Sequence, residues 1–173
     1  MSTTREAVLR EAGKQLETQG IAKLSIRDAA RRARVSHNAP YRHFPDRETL
    51  LAALAAEGFK QLSETLASKA GREMGEAYLA FALAHPQRFR LMFGGLLSLD
   101  AYPELRDNAR ASYAALEKAF AGQGIDEKIA AAAAWSLVHG LAHLLLDGHF
   151  AARGEGFVTA VIGSVRFSAP RKP

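Results

Sequence analysis

Two serines, Ser25 and Ser36, each stand just before a short amphipathic run, and only Arg34-Val35 separates the end of the first run from the start of the second. Ser25 is placed to accept a hydrogen bond from a first-turn amide, and Asp28, three residues on, to return one to the serine's own N–H. Ile26, Ala29, Ala30 and Ala33 then recur at helical spacing, giving a small apolar face that a second helix can approach closely. Ser36 opens that second helix. At about 100° per residue, Pro40 and Phe44 face inward, Asn38 and Arg42 lie opposite, and His37 and Tyr41 run along one flank. Pro40 removes one backbone bond, which is tolerable close to a first turn.

Hydrogen-bonding side chains crowded near the N-terminal end of a short helix are what a major groove requires. Asn38 suits an adenine edge and Arg42 a guanine or a phosphate, while Tyr41 and His43 suit phosphate oxygens. Ser25, Arg27, Ser36 and His37, around the two helix starts, complete the expected DNA-facing set. Asp46 is expected to cap a third helix, with Arg47 in its first turn on a further phosphate. The plainer alternative is a helical hairpin with a solvated polar face; two caps around so short a turn favour the DNA reader.

The segment Leu24–Leu51, with Val35-Ser36, Tyr41-x-His43-Phe44 and Arg47-Glu48-x-Leu50-Leu51, resembles the DNA-binding domain of the TetR/AcrR family of bacterial transcriptional regulators over about residues 3–60. Two positions depart from the family pattern. Arg34 stands where a turn glycine is common, which implies a different or strained turn. Asn38 stands where the recognition helix often has glycine, which adds a base-reading side chain.

Charge supports this placement. Of the formal net charge of +5, residues 1–50 hold ten Lys and Arg against six Asp and Glu, an excess of four, whereas residues 51–173 hold thirteen against twelve. The positive excess therefore sits where a polyanion would dock. With 48% hydrophobic and 24% charged residues, the 173-residue chain has the composition of a globular protein with a real core. There is no cysteine, which excludes disulfides, thiolate metal sites and thiol nucleophiles. Met-Ser-Thr-Thr-Arg-Glu leads directly into an amphipathic helix with no signal peptide legible. No uninterrupted apolar run looks long enough to cross a bilayer, so a cytoplasmic protein without a membrane partner is expected.

Periodicity predicts an all-α fold: an N-terminal three-helix helix-turn-helix domain over 1–50, its linking helix continuing to about 66, then a helical bundle over 72–173 for regulation, ligand binding and dimerisation. A Thr3/Glu6 capping box starts the first helix, which Gly20 ends. Later helices are expected to end near His85-Pro86 and to cover about 87–92, 104–121, 126–147 and 157–167, with glycine breaks at Gly94-Gly95, Gly122–Gly124 and Gly154/Gly156 and a loose Pro-Arg-Lys-Pro tail.

The helix opened by Asp126 carries two apolar faces, one with Ile129, Ala133, Leu137, Gly140, Leu141 and Leu144, the other with Ala131, Trp135, Val138, Ala142 and Leu145. Such a helix must be covered twice, which points to a homodimer. Leu137, Leu141, Leu144, Val161, Ile162 and Val165 are the expected interface. Trp135-Ser-Leu-Val-His139-Gly140-Leu141, with Ala77-Tyr78-x-x-Phe81-Ala82-x-x-His85-Pro86-x-x-Phe89-Arg90-x-Met92-Phe93, is similar to the C-terminal regulatory domain named for its Trp/His/Gly element, found in part of the same family. That resemblance implies a ligand-responsive domain. Tyr78, Phe81, Phe89, Met92, Phe93, Tyr113, Trp135 and His139 are the candidate lining of an effector pocket, each equally compatible with plain core packing.

His139 and His143 have metal-ligand spacing, but no third ligand is indicated and the zinc motif's glutamate is missing; no metal or cofactor is expected. The competing classes are a small helical metal-dependent hydrolase and a non-DNA-binding helical adaptor. The first lacks a Gly-x-Ser-x-Gly turn and any cysteine nucleophile, the second the long basic amphipathic helix of a membrane-surface protein. The expectation is a ligand-responsive regulator, a repressor on the family resemblance, that is no enzyme and binds a palindromic operator of double-stranded DNA as a homodimer under a small-molecule effector.

Overall fold

The computed structural model describes residues 3–121, 126–153 and 156–165. Eight α-helices account for most of this, with no strand among the described residues. They are α1 (Thr4–Gln19), α2 (Ile26–Arg32), α3 (Arg47–Leu66), α4 (Gly71–Ala84), α5 (Pro86–Phe93), α6 (Pro103–Lys118), α7 (Glu127–Leu146) and α8 (Phe157–Ser164). The Gly122–Gly124 break, Gly154, residues 166–167 of the expected last helix and the Pro-Arg-Lys-Pro tail lie outside the described residues.

Local signals start the helices. The Thr3 hydroxyl accepts from the Glu6 amide at 3.2 Å, and the Glu6 carboxylate accepts from the Thr3 amide at 2.9 Å, a complete capping box. Asp46 begins α3 by accepting from the Thr49 amide and hydroxyl at 2.7 and 2.8 Å. These bonds, the backbone one foremost, hold its carboxyl below the usual aspartate range. Asp126 accepts from the Lys128 and Ile129 amides at 3.0 and 3.1 Å and so caps α7.

The chain forms two compact units. The first contains the residues up to Lys60 together with His85–Ala109; the second contains Gln61–Ala84 and the residues from Arg110 onward. In the first unit, α1 packs on α2 and on α5. Glu17 of α1 accepts from the Gln87 and Arg88 amides, both at 3.1 Å, putting a carboxylate on the positive end of α5. Phe89 and Phe93 stack 4.9 Å apart, and Phe59 meets Phe93 edge-on at 5.1 Å. The Arg5 guanidinium reaches the Glu104 carboxylate at 2.7 Å. Close approach needs Gly58: a Cβ there would come within 2.6 Å of the Met92 sulfur. In the second unit, α4 packs on α7 and α8, with Gly75 lying against Val138 and Ile162.

Helix α7 corrects one expectation. Its twenty residues, with mean hydropathy 1.7 over the most apolar stretch, are long and apolar enough to cross a membrane by length and composition. Lys128, Ser136, His139 and His143 break up the run that sequence reading looked for. Only Ala130, Ala131, Leu141 and Ala142 of this helix are buried, so its apolar character far exceeds what its own unit covers.

Candidate nucleic-acid interface and effector site

Helix α2 begins as Ser25 predicts, its hydroxyl accepting from the Asp28 amide at 3.4 Å. The reciprocal half of the box does not form. The Asp28 carboxylate instead takes Arg31 at 2.7 Å, a bond that chiefly accounts for its lowered pKa, and the Ser25 amide donates to Gln15. At the other end, the Arg34 amide donates to the Arg31 carbonyl and the Val35 amide to the Ala30 carbonyl, both at 3.2 Å. This pair of bonds defines a Schellman end, whose turning residue is left-handed. Arg34 fills that place with φ of 56°, and among the described residues no other non-glycine has positive φ.

The second element differs from its prediction. It is a 3-10 turn over Ala39–Arg42 rather than an α-helix opened by Ser36. Proline is the reason. An α-helical bond from residue 40 to the Ser36 carbonyl needs an N–H that Pro40 lacks. The Ser36 carbonyl accepts from the Ala39 amide at 3.1 Å instead, and the Pro40 carbonyl accepts from both His43 and Phe44 at 2.9 Å. The inward pair is as expected: Pro40 is buried and Phe44 is 1% exposed.

Around this turn Ser36, His37, Asn38, Tyr41, Arg42 and His43 are all exposed, with Arg27 exposed on α2 and Ser25 half-buried at its start. His37 Nδ1 lies 3.1 Å from Asn38 Oδ1, and the His37 ring sits beside Tyr41 at 6.1 Å. Arg47 behaves differently from the rest of the predicted set. Its Nε donates to the Leu24 carbonyl at 3.1 Å and its Nη2 to the Ile21 carbonyl.

The predicted effector lining divides between the units. Phe89, Met92 and Phe93 belong to the first and Tyr78, Phe81, Tyr113, Trp135 and His139 to the second. Within the second, the Trp135 indole N–H donates to the Tyr78 oxygen at 3.2 Å, and the Tyr78 oxygen lies 2.9 Å from His139 Nδ1. An indole can only donate, so the Tyr78 oxygen is the acceptor of the Trp135 bond. Burial pushes the Tyr78 hydroxyl well above the usual range. Burial, helped by His143, pushes His139 down, favouring the neutral ring. Tyr113 stacks edge-on against Trp135 at 5.6 Å, and His143 against His139 at 4.7 Å. Phe81 is buried nearby in sequence on α4. Among the described residues, no group of three or more His, Cys, Asp or Glu is placed to hold a metal.

Known proteins carry both halves of this arrangement. Residues 8–54 match the family model described as bacterial regulatory proteins, tetR family, and residues 72–164 match the one described as tetracyclin repressor-like, C-terminal domain. The chain belongs to the TetR family. It is 32% identical to a protein of unknown function from Rhodococcus sp. RHA1, with 95% of this chain and 92% of that one covered and a TM-score of 0.77. At lower identity the fold is shared with the multidrug binding protein EbrR, complexed with imidazole (20% identity, 99% and 100% covered, TM-score 0.59), and with a TetR variant from Acinetobacter baumannii AYE in complex with minocycline (19%, 91% and 93%, 0.61). No curated protein matches the chain.

This TetR-family protein is thus a DNA-binding, ligand-responsive transcriptional regulator of the helix-turn-helix class, and its kinship points to regulation rather than catalysis. Of the residues expected at its dimer interface, Leu141 and Ile162 are already covered within the single chain, Leu137 and Val161 are half-buried, and Leu144 and Val165 are exposed. Ile129, on the same apolar face, is 67% exposed. Sequence reading missed Gln15, which is 2% exposed and bonded to the α1–α2 turn. A lone amide beside Ala12 and Leu16 on an otherwise apolar helix face was its only signal.

Proposed function

We propose that this regulator is a homodimeric repressor that holds a palindromic operator through two copies of the Ser36–His43 surface and lets go when a small molecule enters its second unit. The observation that carries the reading is the uncovered face of α7, where Ile129 and Leu144 are 67% and 41% exposed beside the exposed Ala133 and Gly140. Apolar surface of that extent calls for a partner. A second copy supplies one by two-fold symmetry, and half-sites one turn of duplex apart are then read together. A protein that works on operators belongs in the cytoplasm.

On this reading Asn38 and Arg42 meet base edges, and Ser25, Arg27, Ser36, His37, Tyr41 and His43 meet the backbone. The effector contacts the Trp135–Tyr78–His139 chain, beside Tyr113 and Phe81; Trp135 and His139-Gly140 also support a kinship of this domain with the Trp/His/Gly type. An aromatic molecule with a hydrogen-bonding edge suits these groups; the imidazole and minocycline bound by the related EbrR and TetR proteins are of that kind. Binding there shifts α3, which alters the spacing of the two reading surfaces.

A mobility-shift assay tests the central claim. A duplex enriched from a random pool by the wild-type protein should bind the Tyr41→Ala/Arg42→Ala double variant at least tenfold more weakly. Equal affinity would place the reading surface elsewhere.

A further inference from the structure

The turn between α1 and α2 has its polar backbone groups held by side chains from two other parts of the first unit. From α1, Gln15 lies with its Nε2 3.2 Å from the Lys23 carbonyl and 3.4 Å from the Asp28 carboxylate, while its Oε1 accepts from the Ser25 amide at 3.4 Å. From the first residue of α3, Arg47 donates to the Ile21 and Leu24 carbonyls. Ser25 is the residue that starts α2. The start of α2 is therefore fastened to the start of α3, residue against residue, by an internal clasp.

We infer that Arg47 and Gln15 are positioning residues for DNA binding: the clasp fixes the start of α2, with Ser25 and Arg27, to the first turn of α3, so that the DNA-facing helices move with α3 as one piece. The inference rests on the DNA-binding reading and reassigns Arg47 within it. A guanidinium can engage two carbonyls at once through its fixed fork, and charge-assisted bonds of this kind are the strong ones. An ammonium has the charge without the fork. Arg47 therefore acts through geometry where a phosphate contact would act through charge, and the two roles have different signatures.

Affinity is measured for the duplex enriched by the wild-type protein and for an unrelated duplex of equal length, across a salt series, with circular dichroism establishing that each variant is folded. A phosphate contact contributes about one unit to the slope of log affinity against log salt and acts on every sequence alike. A clasp acts on the ratio of specific to non-specific binding. Arg47→Met and Arg47→Lys should both lower that ratio by about tenfold, the low end for loss of one bond to a charged donor, with the non-specific slope unchanged. Gln15→Leu, at a position too buried to touch DNA, should lower it in the same direction. Loss of stability alone leaves the ratio for the folded protein unmoved. Wild-type behaviour in Arg47→Lys, or a slope reduced by about one in Arg47→Met, would overturn the inference. Should Arg47→Met fail to fold, Arg47→Lys still decides between the roles. If the wild-type protein enriches no duplex, the DNA-binding reading itself fails and the inference with it.

Discussion

The Tyr78 hydroxyl stands 2.9 Å from His139 Nδ1, joining α4 to α7 across a gap of sixty-one residues in sequence. Because Trp135 donates to the same oxygen, the tyrosine ties the indole to the histidine. Its neutral form is favoured by burial first and by His143 second.

That environment sets a pH dependence. A histidine whose folded pKa lies below its ordinary value binds its proton more readily when unfolded, so stability rises with pH in the window between the two values. The melting temperature should therefore fall as pH drops below about 6.5, the ordinary histidine value. His139→Gln should flatten this part of the profile. An unchanged slope in differential scanning fluorimetry would assign the dependence to another group.

Arg34 carries the cost of a Cβ in the left-handed region, on the order of 1 kcal/mol. Arg34→Gly should raise the unfolding free energy by about that amount in a urea titration, with the helical circular dichroism signal unchanged. A loss of stability would mean that the arginine side chain compensates for its backbone.

Glu17 closes two of the amides at the start of α5. Its replacement by alanine should cost about 1 kcal/mol, while glutamine, which keeps an acceptor, should cost less. Chemical denaturation of the two variants side by side separates the cap from simple loss of packing.

The dimer proposal gives a direct contrast between neighbouring positions. Ile129→Glu and Leu144→Glu, on the uncovered face of α7, should yield folded monomers by light scattering. Leu141→Glu, at a position 5% exposed in the single chain, should instead unfold the second unit, since an unpaired buried charge is too costly to keep. Dimers persisting in both surface variants would move the interface off this face.

How much could be seen in advance depended on distance along the chain. The Thr3/Glu6 box, the Asp46 and Asp126 caps and the inward turn of Phe44 rest on neighbours within four residues, and each was legible. The left-handed place of Arg34 was legible too, because a helix stop has a fixed geometry. Pro40 was noticed, but its full consequence, a 3-10 turn in place of an α-helix, depended on which carbonyl the Ala39 amide would take. The carbonyl partners of Arg47 escaped notice for a different reason: they lie more than twenty residues away, and every residue has a backbone carbonyl, so no sequence pattern marks them. The same holds for Gln15 and for the division of the aromatic set between two units.

By itself, then, the sequence determined the helical class, most starts and stops of the helices, and the exposed polar side chains between Ser36 and His43, since these follow from periodicity and local hydrogen-bonding capacity. Only the tertiary structure decided which of α7's two apolar faces is inside, which aromatic residues meet His139, and that Arg47 grips the α1–α2 turn. Those outcomes depend on which distant groups the packing of helices brings within reach, and burial and hydrogen bonding act on that proximity rather than on order along the chain.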